Sequence, residues 1–146
     1  MNEAKFTSEI NKLLPKNLVK VWKVKDDFQG GVFDCIYYSE VNETGGVLPP
    51  VNVEFKLLKT IPKRENTLII PDCSELQKQW LRRGLINKHP TLVIVGALDG
   101  REYKGVVFYT EKEWLEGITR TEFVKRLQSK QDIADILLKL VIGIAN

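Results

Sequence analysis

An apolar segment near the middle of the chain, residues 51–59, carries a carboxylate and an amine that would stand next to each other. Side chains on a β-strand alternate between its two faces, so the apolar residues can enter a core while Glu54 and Lys56 project together from the other face. A carboxylate suits a hard divalent cation, and an ammonium group beside that cation can act on the same reacting group. The spacing therefore predicts a metal-assisted site on this strand.

A second carboxylate, Asp34, interrupts the apolar residues of the preceding strand-like segment, 32–39. Because an unpaired carboxylate is costly to bury, Asp34 needs a partner. We expect segments 32–39 and 51–59 to pair as antiparallel strands joined by a long polar connection. Asp34 and Glu54 would then converge on one position of the sheet.

The acid-x-Lys pattern at Glu54 has rivals, since a three-residue pattern often matches by chance. The match at Glu3 precedes every predicted strand, and the match at Glu102 follows a turn with no isolated acid upstream. Only Glu54 lies in an apolar strand with such an acid, Asp34, one strand earlier. The full set of matches is Glu3–Lys5, Glu54–Lys56 and Glu102–Lys104.

The rest of the sequence predicts the elements that would position these residues. Residues 7–14 have the pattern of a short helix, with Glu9 in its first turn. Ser74 and Gln77 match a capping box that starts another helix. Residues 91–97 form a nearly continuous apolar run, which is typical of a strand buried on both faces. The complete prediction is helices at 7–14, 74–87, 114–127 and 131–144 and strands at 18–25, 32–39, 51–59, 91–97 and 103–109.

The composition is that of an ordinary globular chain: 146 residues, of which 43% are hydrophobic and 28% are charged, so we expect a single domain, 1–146. No apolar run approaches the ~20 residues that span a bilayer, and the first residues lack the apolar region of a secretory signal. We therefore expect no membrane partner and a cytoplasmic location, in the host cytoplasm if a phage encodes the protein. With two cysteines and one histidine, we expect neither a zinc cluster nor a catalytic triad.

Charge is segregated along the chain, although the net charge is only +3. Residues 26–55 carry six acidic residues and no Lys or Arg, whereas the blocks 1–25 and 56–90 have an excess of basic residues. This order is expected if the central carboxylates hold a cation and the basic residues on either side hold a polyanion. Chance variation among solvated surface residues would give it too.

The predicted order of elements resembles the α-β-β-β-α-β core of the PD-(D/E)XK nuclease superfamily, over about residues 7–97. Within this superfamily, the sequence is most similar to small resolvase-like and phage-type endonucleases, including virus-type replication-repair nuclease domains. The fold implied is an α/β, restriction-endonuclease-like core, a mixed sheet flanked by helices, followed by an extra hairpin strand and C-terminal helices at 98–146. Phe33 stands where the superfamily commonly has proline before the acid. The residues that carry the resemblance are Glu9, Gly31-Val32-Phe33-Asp34, Glu54-Phe55-Lys56, Ser74, Gln77 and Trp80.

The resemblance implies an endonuclease that hydrolyses DNA phosphodiesters with Mg²⁺ or Mn²⁺. If the enzyme selects DNA by its structure, as a Holliday-junction resolvase does, it would act in DNA recombination, DNA repair or phage DNA processing. Lys56 would orient or help deprotonate the attacking water and stabilise the phosphorane, and Gln77 would hydrogen-bond near the metal or a phosphate. The implied metal ligands are Asp34, Glu54 and the backbone carbonyl of Phe55, with Glu9 reaching a water or a second ion.

DNA, possibly branched, is the partner that the resemblance implies, and resolvase-like members act as homodimers. The apolar helix at 131–144 would supply either an interface between copies or, more simply, part of the core. Basic residues would make sequence-independent phosphate contacts. These residues are Lys20, Lys23, Lys59, Lys63, Arg64, Arg82 and Arg83.

Each site residue also has a purely structural interpretation. Asp34 would cap a turn or pair with a lysine, and Glu54 with Lys56 would be an exposed ion pair of little energetic worth. Glu9 would complement the helix dipole, and Gln77 would only complete its capping box. For the whole chain, the alternatives are a non-catalytic nucleic-acid-binding module on the same fold and a structural or assembly protein that uses the C-terminal helices. Three tryptophans are expected in the core, with base-stacking platforms as the alternative: Trp22, Trp80 and Trp114.

Overall fold

The computed structural model describes residues 1–24, 33–39 and 48–143. Gly31 and Val32, most of the polar connection predicted between the second and third strands, and the predicted end of the last helix lie outside the described residues. The described elements follow the predicted order, with additions. They are α1 (Glu3–Asn11), β1 (Val19–Lys23), β2 (Cys35–Ser39), β3 (Val51–Leu57), β4 (Leu68–Ile69), α2 (Glu75–Ile86), β5 (Thr91–Asp99), β6 (Glu102–Phe108), α3 (Glu111–Glu116), β7 (Ile118–Thr119), α4 (Arg120–Arg126) and α5 (Lys130–Ile142).

Five of the strands form one mixed sheet, in the order β1-β2-β3-β5-β6. β2 is antiparallel to β3, as expected, and also to β1, and β6 returns from β5 as a hairpin through the Asp99-Gly100 turn. β3 and β5 are parallel, so the chain between them must cross over the sheet, and α2 lies in this crossover. The predicted acid-x-Lys strand, β3, therefore occupies the centre of the sheet.

Two hydrophobic cores cover the two faces of this sheet. The first packs α1 and α5 on the face that contains Val53 and Phe55. The second packs α2, α3 and α4 on the opposite face, which contains Val93 and Val95. Because Ile94 belongs to the first core and its two neighbours to the second, β5 is buried on both faces, which confirms the interpretation of its apolar run.

The last helix, α5, buries its apolar stripe within the same chain. Ile133, Leu137 and Val141 belong to the core that also contains residues of α1 and β3. This confirms the core-packing interpretation of the stripe, since these side chains are not available to a second copy. Among the described residues, no helix combines the length and apolar character needed to cross a bilayer.

The first helix begins four residues earlier than predicted. The Asn2 side chain accepts a hydrogen bond from the Lys5 amide at 2.8 Å and caps α1, so that Glu3 occupies its first turn. Thr7, one of the expected N-caps, is instead buried within the helix, where its hydroxyl donates to the Glu3 carbonyl at 2.8 Å. The earlier start brings Glu3 into an ordered position.

The helix predicted at 114–127 is wrong as one element. The chain forms α3, turns at Gly117, pairs β7 with β4 and then enters α4. Gly117 has φ +82°, and a Cβ there would lie 2.7 Å from the Ile69 carbonyl oxygen. Only glycine fits this close approach, so the helical pattern is interrupted where β4 passes.

Candidate active site

Asp34 lies one residue before β2, and the backbone of β3 fixes its carboxylate. Its Oδ2 accepts a hydrogen bond from the Phe55 amide at 2.8 Å. The ladder pairs Cys35 with Val53, so the next position places Asp34 opposite Glu54. In an antiparallel ladder the N–H and C=O of one residue point to the same neighbour, so the Phe55 carbonyl faces the side on which Asp34 lies. The Asp34 carboxylate and the Phe55 carbonyl therefore lie near each other at one end of the β2–β3 ladder.

Glu54 is a carboxyl group inside the protein, with only 2% of the residue exposed. Burial, then the negative charge of Asp34, raises the pKa of Glu54 to about 9, although the Lys56 ammonium opposes this shift. A hydrogen bond between the Glu54 and Asp34 carboxyl groups also contributes to this rise of the pKa. At neutral pH, Glu54 thus keeps a proton next to the Asp34 carboxylate, as expected for two adjacent acids in a poorly solvated position.

Gln77, in the first turn of α2, connects Glu54 to Lys56. Its Nε2 donates to Glu54 Oε1 at 2.7 Å, and its Oε1 accepts from Lys56 Nζ at 3.0 Å. The orientation of the amide follows from the partners, because an ammonium group can only donate. The same Oε1 accepts from the Ser74 amide at 2.9 Å, which completes the predicted capping box. The two interpretations of Gln77 are thus compatible, since one side chain makes both sets of contacts.

Lys56 lies next to the buried Glu54 and also lines a surface groove of about 260 Å³. Its Nζ is 3.7 Å from Glu54 Oε1, and 18% of its side chain is exposed. Glu3, Lys59 and Asp72 line the same groove. A negatively charged ligand in the groove would meet the Lys56 ammonium group at its inner end.

Glu3 is the neighbouring acid that the sequence analysis set aside. Partial desolvation raises the pKa of Glu3, the Lys56 charge lowers it, and the charges of Asp34 and Asp72 raise it again. This carboxylate therefore lies within electrostatic reach of the site. The signal in the sequence is the acid-x-Lys match of Glu3 with Lys5, which lies at the start of a helix and not on a strand.

Glu9, which the resemblance placed near the metal, has a different neighbour. Its carboxylate accepts a hydrogen bond from Lys130, the first residue of α5. This contact lowers the pKa of Glu9. Ile10, next to it, is fully buried in the core between α1, α5 and the sheet. Because α1 turns Glu9 toward α5, the structure does not bring it together with Asp34 and Glu54.

The predicted phosphate-binding residues are spread over several surfaces. Lys59 lines the groove beside Lys56, whereas Lys23 donates to Ser8 of α1 on the other face of the sheet. Arg82 pairs with Glu111 at 2.6 Å. Lys20 is exposed on β1, Lys63 and Arg64 are exposed between β3 and β4, and Arg83 lies over the Trp80 ring at 5.3 Å.

The tryptophans do not share one environment. Trp114 is fully buried in the second core, and Trp80 is half-buried, with its ring centroid 6.3 Å from that of Phe33. Trp22, by contrast, is 59% exposed on β1. The prediction that it belongs to the core is wrong, because β1 is an edge strand of the sheet and the Trp22 side chain remains exposed there.

A thiol nucleophile is not part of this site. Cys35 and Cys73 are both free and buried. Burial raises the pKa of Cys35 and raises that of Cys73 to about 11, so both thiols stay protonated at neutral pH. A protonated, buried thiol is a poor nucleophile.

The donor set fits a hard divalent cation in kind. Asp34, Glu54 and the Phe55 carbonyl offer oxygen ligands, and the negative charge of Asp34 is one of the causes that raise the pKa of Glu54. Among residues 1–24, 33–39 and 48–143, no group of three or more His, Cys, Asp or Glu side chains is arranged to hold a metal ion. The third protein ligand would therefore have to be the backbone carbonyl.

Comparison with known proteins relates the chain to one fold. The solved structure of Hjc, a Holliday junction resolvase from the archaeal hyperthermophile Archaeoglobus fulgidus, matches it with a TM-score of 0.52. The alignment covers 90% of this chain and 98% of the resolvase, with 12% sequence identity. No family model matches the chain, and no curated protein matches it by sequence. The match confirms the expected restriction-endonuclease-like α/β fold, with a central mixed sheet flanked by helices.

Proposed function

We propose that this protein is a divalent-metal-dependent endonuclease that hydrolyses phosphodiester bonds of DNA, preferentially in branched DNA. The observation that carries the proposal is the contact between the Asp34 and Glu54 carboxyl groups beside the Lys56 ammonium. The resolvase with the same fold supports DNA as the partner and a branch as the preferred structure. Mg²⁺ or Mn²⁺, action in recombination or repair, and a homodimer are parts of the same proposal.

Asp34 and Glu54 would hold the cation, together with the Phe55 carbonyl. The cation, when bound, would supply Lewis acidity and a water of lowered pKa. The Phe55 amide holds Asp34 and the Gln77 amide holds Glu54, so both carboxyl groups are positioned before a substrate arrives. Such preorganisation avoids a reorganisation cost during the reaction.

Lys56 would act on the phosphate itself. An ammonium group has three N–H donors, and one of those of Lys56 is donated to Gln77. The ammonium nitrogen also lies 3.7 Å from Glu54 Oε1, and it remains accessible to the groove, where a phosphoryl oxygen could accept a further hydrogen bond. Its positive charge would stabilise the negative charge that grows on the phosphate during attack by water.

A cleavage assay tests the proposal directly. The protein is incubated with supercoiled, linear and four-way-junction DNA in Mg²⁺, Mn²⁺ or EDTA. We expect cleavage in either metal, fastest on the junction, and none in EDTA. Asp34→Ala should abolish cleavage, and Lys56→Ala should slow it by about 10²–10³-fold, the range for loss of one transition-state donor.

Glu102→Gln is the matched control, because it removes an exposed carboxylate from another acid-x-Lys match, at the start of β6. It should cleave like the unaltered protein, and circular dichroism should show all variants folded. Undiminished cleavage by Asp34→Ala would reject the site. Salt-sensitive DNA binding without cleavage would favour the non-catalytic binding module, and neither binding nor cleavage would favour a structural role.

A further inference from the structure

Two large aromatic side chains stand exposed on neighbouring strands of the sheet. Trp22, on β1, is 59% exposed, and Tyr38, on β2, is 40% exposed. Lys20, also exposed, is the cross-strand partner of Tyr38. Solvent-exposed Trp and Tyr beside a lysine form the combination that proteins use to stack on bases and hold the phosphate backbone of unpaired nucleic acid.

This aromatic pair lies on the face of the sheet that carries Glu54. Trp22 pairs with Ile36, and Ile36 pairs with Asn52, so all three side chains point to one face. Asn52 faces α2, because a Cβ at Gly84 would lie 3.1 Å from its amide nitrogen. Glu54 follows Asn52 by two residues and therefore shares this face.

Trp22 is also close to the candidate site along the sheet. The Val24 amide donates to the Asp34 carbonyl at 3.0 Å, so the β1–β2 pairing continues to Asp34. Asp34 and Tyr38 are then the two diagonal neighbours of Trp22, and such neighbours lie about 7–8 Å apart. A strand of nucleic acid crossing from Tyr38 past Trp22 would reach Asp34.

A second copy of the chain is a poorer occupant of this surface. β1 is an edge strand of only five residues, and Lys20 and Lys23 lie within it. Short, lysine-bearing edge strands disfavour edge-to-edge pairing of sheets. Lys20, which lies on the same face as Trp22 and Tyr38, favours a polyanion.

We propose that Trp22 and Tyr38 form a stacking surface for the bases of unpaired DNA nucleotides, which leads the strand to the site at Asp34. The inference deepens the proposed function and rests on it: it assigns the preference for branched DNA to unpaired bases next to the branch. Base stacking is compatible with any sequence, because every base has a π-face. The enzyme would thus select DNA by structure.

Binding of DNA in EDTA, measured by fluorescence anisotropy, tests the stacking surface without cleavage. The probes are a single-stranded oligonucleotide, a forked duplex and a fully paired duplex. Trp22→Leu and Tyr38→Leu should each weaken binding of the first two probes, on the order of 5- to 150-fold, and change duplex binding little. Trp22→Phe should restore most of the affinity, since it restores a ring.

Tyr109→Leu is the matched control: it removes another exposed aromatic residue, which follows the opposite edge strand, β6, and should leave all three affinities unchanged. Equal losses on paired and unpaired DNA, or no loss, would overturn the inference, as would a change of oligomeric state by Trp22→Leu in place of a binding defect. Selective binding by a protein that cleaves nothing in Mg²⁺ or Mn²⁺ would uphold the stacking surface and reject the nuclease.

Discussion

The Gln77 amide donates to the Glu54 carboxyl group at 2.7 Å, so the first turn of α2 is attached to the centre of the sheet. Because the same side chain also accepts from Lys56, it holds an acid and a base that are two residues apart on β3 in one arrangement. The candidate site is therefore a property of the contact between α2 and β3, and several predictions depend on this contact.

Glu54→Gln should stabilise the protein at alkaline pH while abolishing cleavage. The carboxyl titrates near 4.5 ordinarily and near 9 in the folded protein, so between these values the folded chain keeps a proton that the unfolded chain has lost. Stability therefore falls as pH rises through this window, and an amide, which cannot lose the proton, avoids that fall. Since 1 kcal/mol shifts Tm by about 2–4 °C in a domain of this size, thermal unfolding can measure the effect.

The test compares Tm at about pH 5 and about pH 8.5, inside the window for Glu54. The gain of Glu54→Gln over the unaltered protein should grow with pH. Glu102→Gln provides the control for loss of an exposed carboxylate on β6. The same Tm difference at both pH values would contradict the protonation of Glu54.

Metal binding should release a proton and tighten as pH rises. A cation held by Asp34 and Glu54 displaces the proton that Glu54 keeps below about pH 9. The affinity for Mn²⁺ should then rise by up to about tenfold per pH unit in this range. Calorimetry in two buffers of different ionisation heat counts the released protons. A pH-independent affinity with no proton release would exclude Glu54 as a ligand.

Gln77→Ala should affect cleavage more than Ser74→Ala, although both disrupt the capping box of α2. Removing Gln77 leaves Glu54 and Lys56 without their shared partner, and loss of such a supporting group typically costs about 10–100-fold in metal affinity or activity. Removing the Ser74 hydroxyl should cost about 0.5–2 kcal/mol of stability and leave those contacts in place. Cleavage rates and urea unfolding separate the two effects. Equal cleavage by both variants would show that Gln77 acts only as part of the helix cap.

Gly84→Ala should lower stability and activity together. Gly84 lies where α2 approaches β5, and a Cβ there would be 2.3 Å from the Thr91 hydroxyl oxygen. The Thr91 side chain or the helix must shift to accept it, at a cost of about 1–3 kcal/mol, and a shift of the helix would move Gln77.

Gly100→Ala is its control. Gly100 has φ +66° but no atom within 4 Å of a Cβ, so the variant should lose stability from backbone strain and retain cleavage when folded. Thermal unfolding and cleavage rates distinguish the two cases. Full activity of Gly84→Ala would show that the α2–β3 distance is not critical.

Much of the site could be predicted from short-range patterns in the sequence. Alternation along β3 places Glu54 and Lys56 on one face, and the Ser74–Gln77 pattern starts α2 where it does. The isolated Asp34 signalled a partner, which proved to be the Phe55 amide together with Glu54. The alternation along β3 and the capping box depend on residues a few positions apart, so the sequence contains them, whereas the partners of Asp34 come from the next strand.

Tertiary packing decided the rest. Burial of Phe6 and Ile10 sets the rotation of α1, which turns Glu9 toward Lys130 and leaves Glu3 near Lys56. The order of strands makes β1 an edge, so an aromatic residue with a core-like pattern, Trp22, faces solvent. Which faces of the sheet are covered depends on contacts between residues far apart in the chain, and local spacing in the sequence does not predict such contacts.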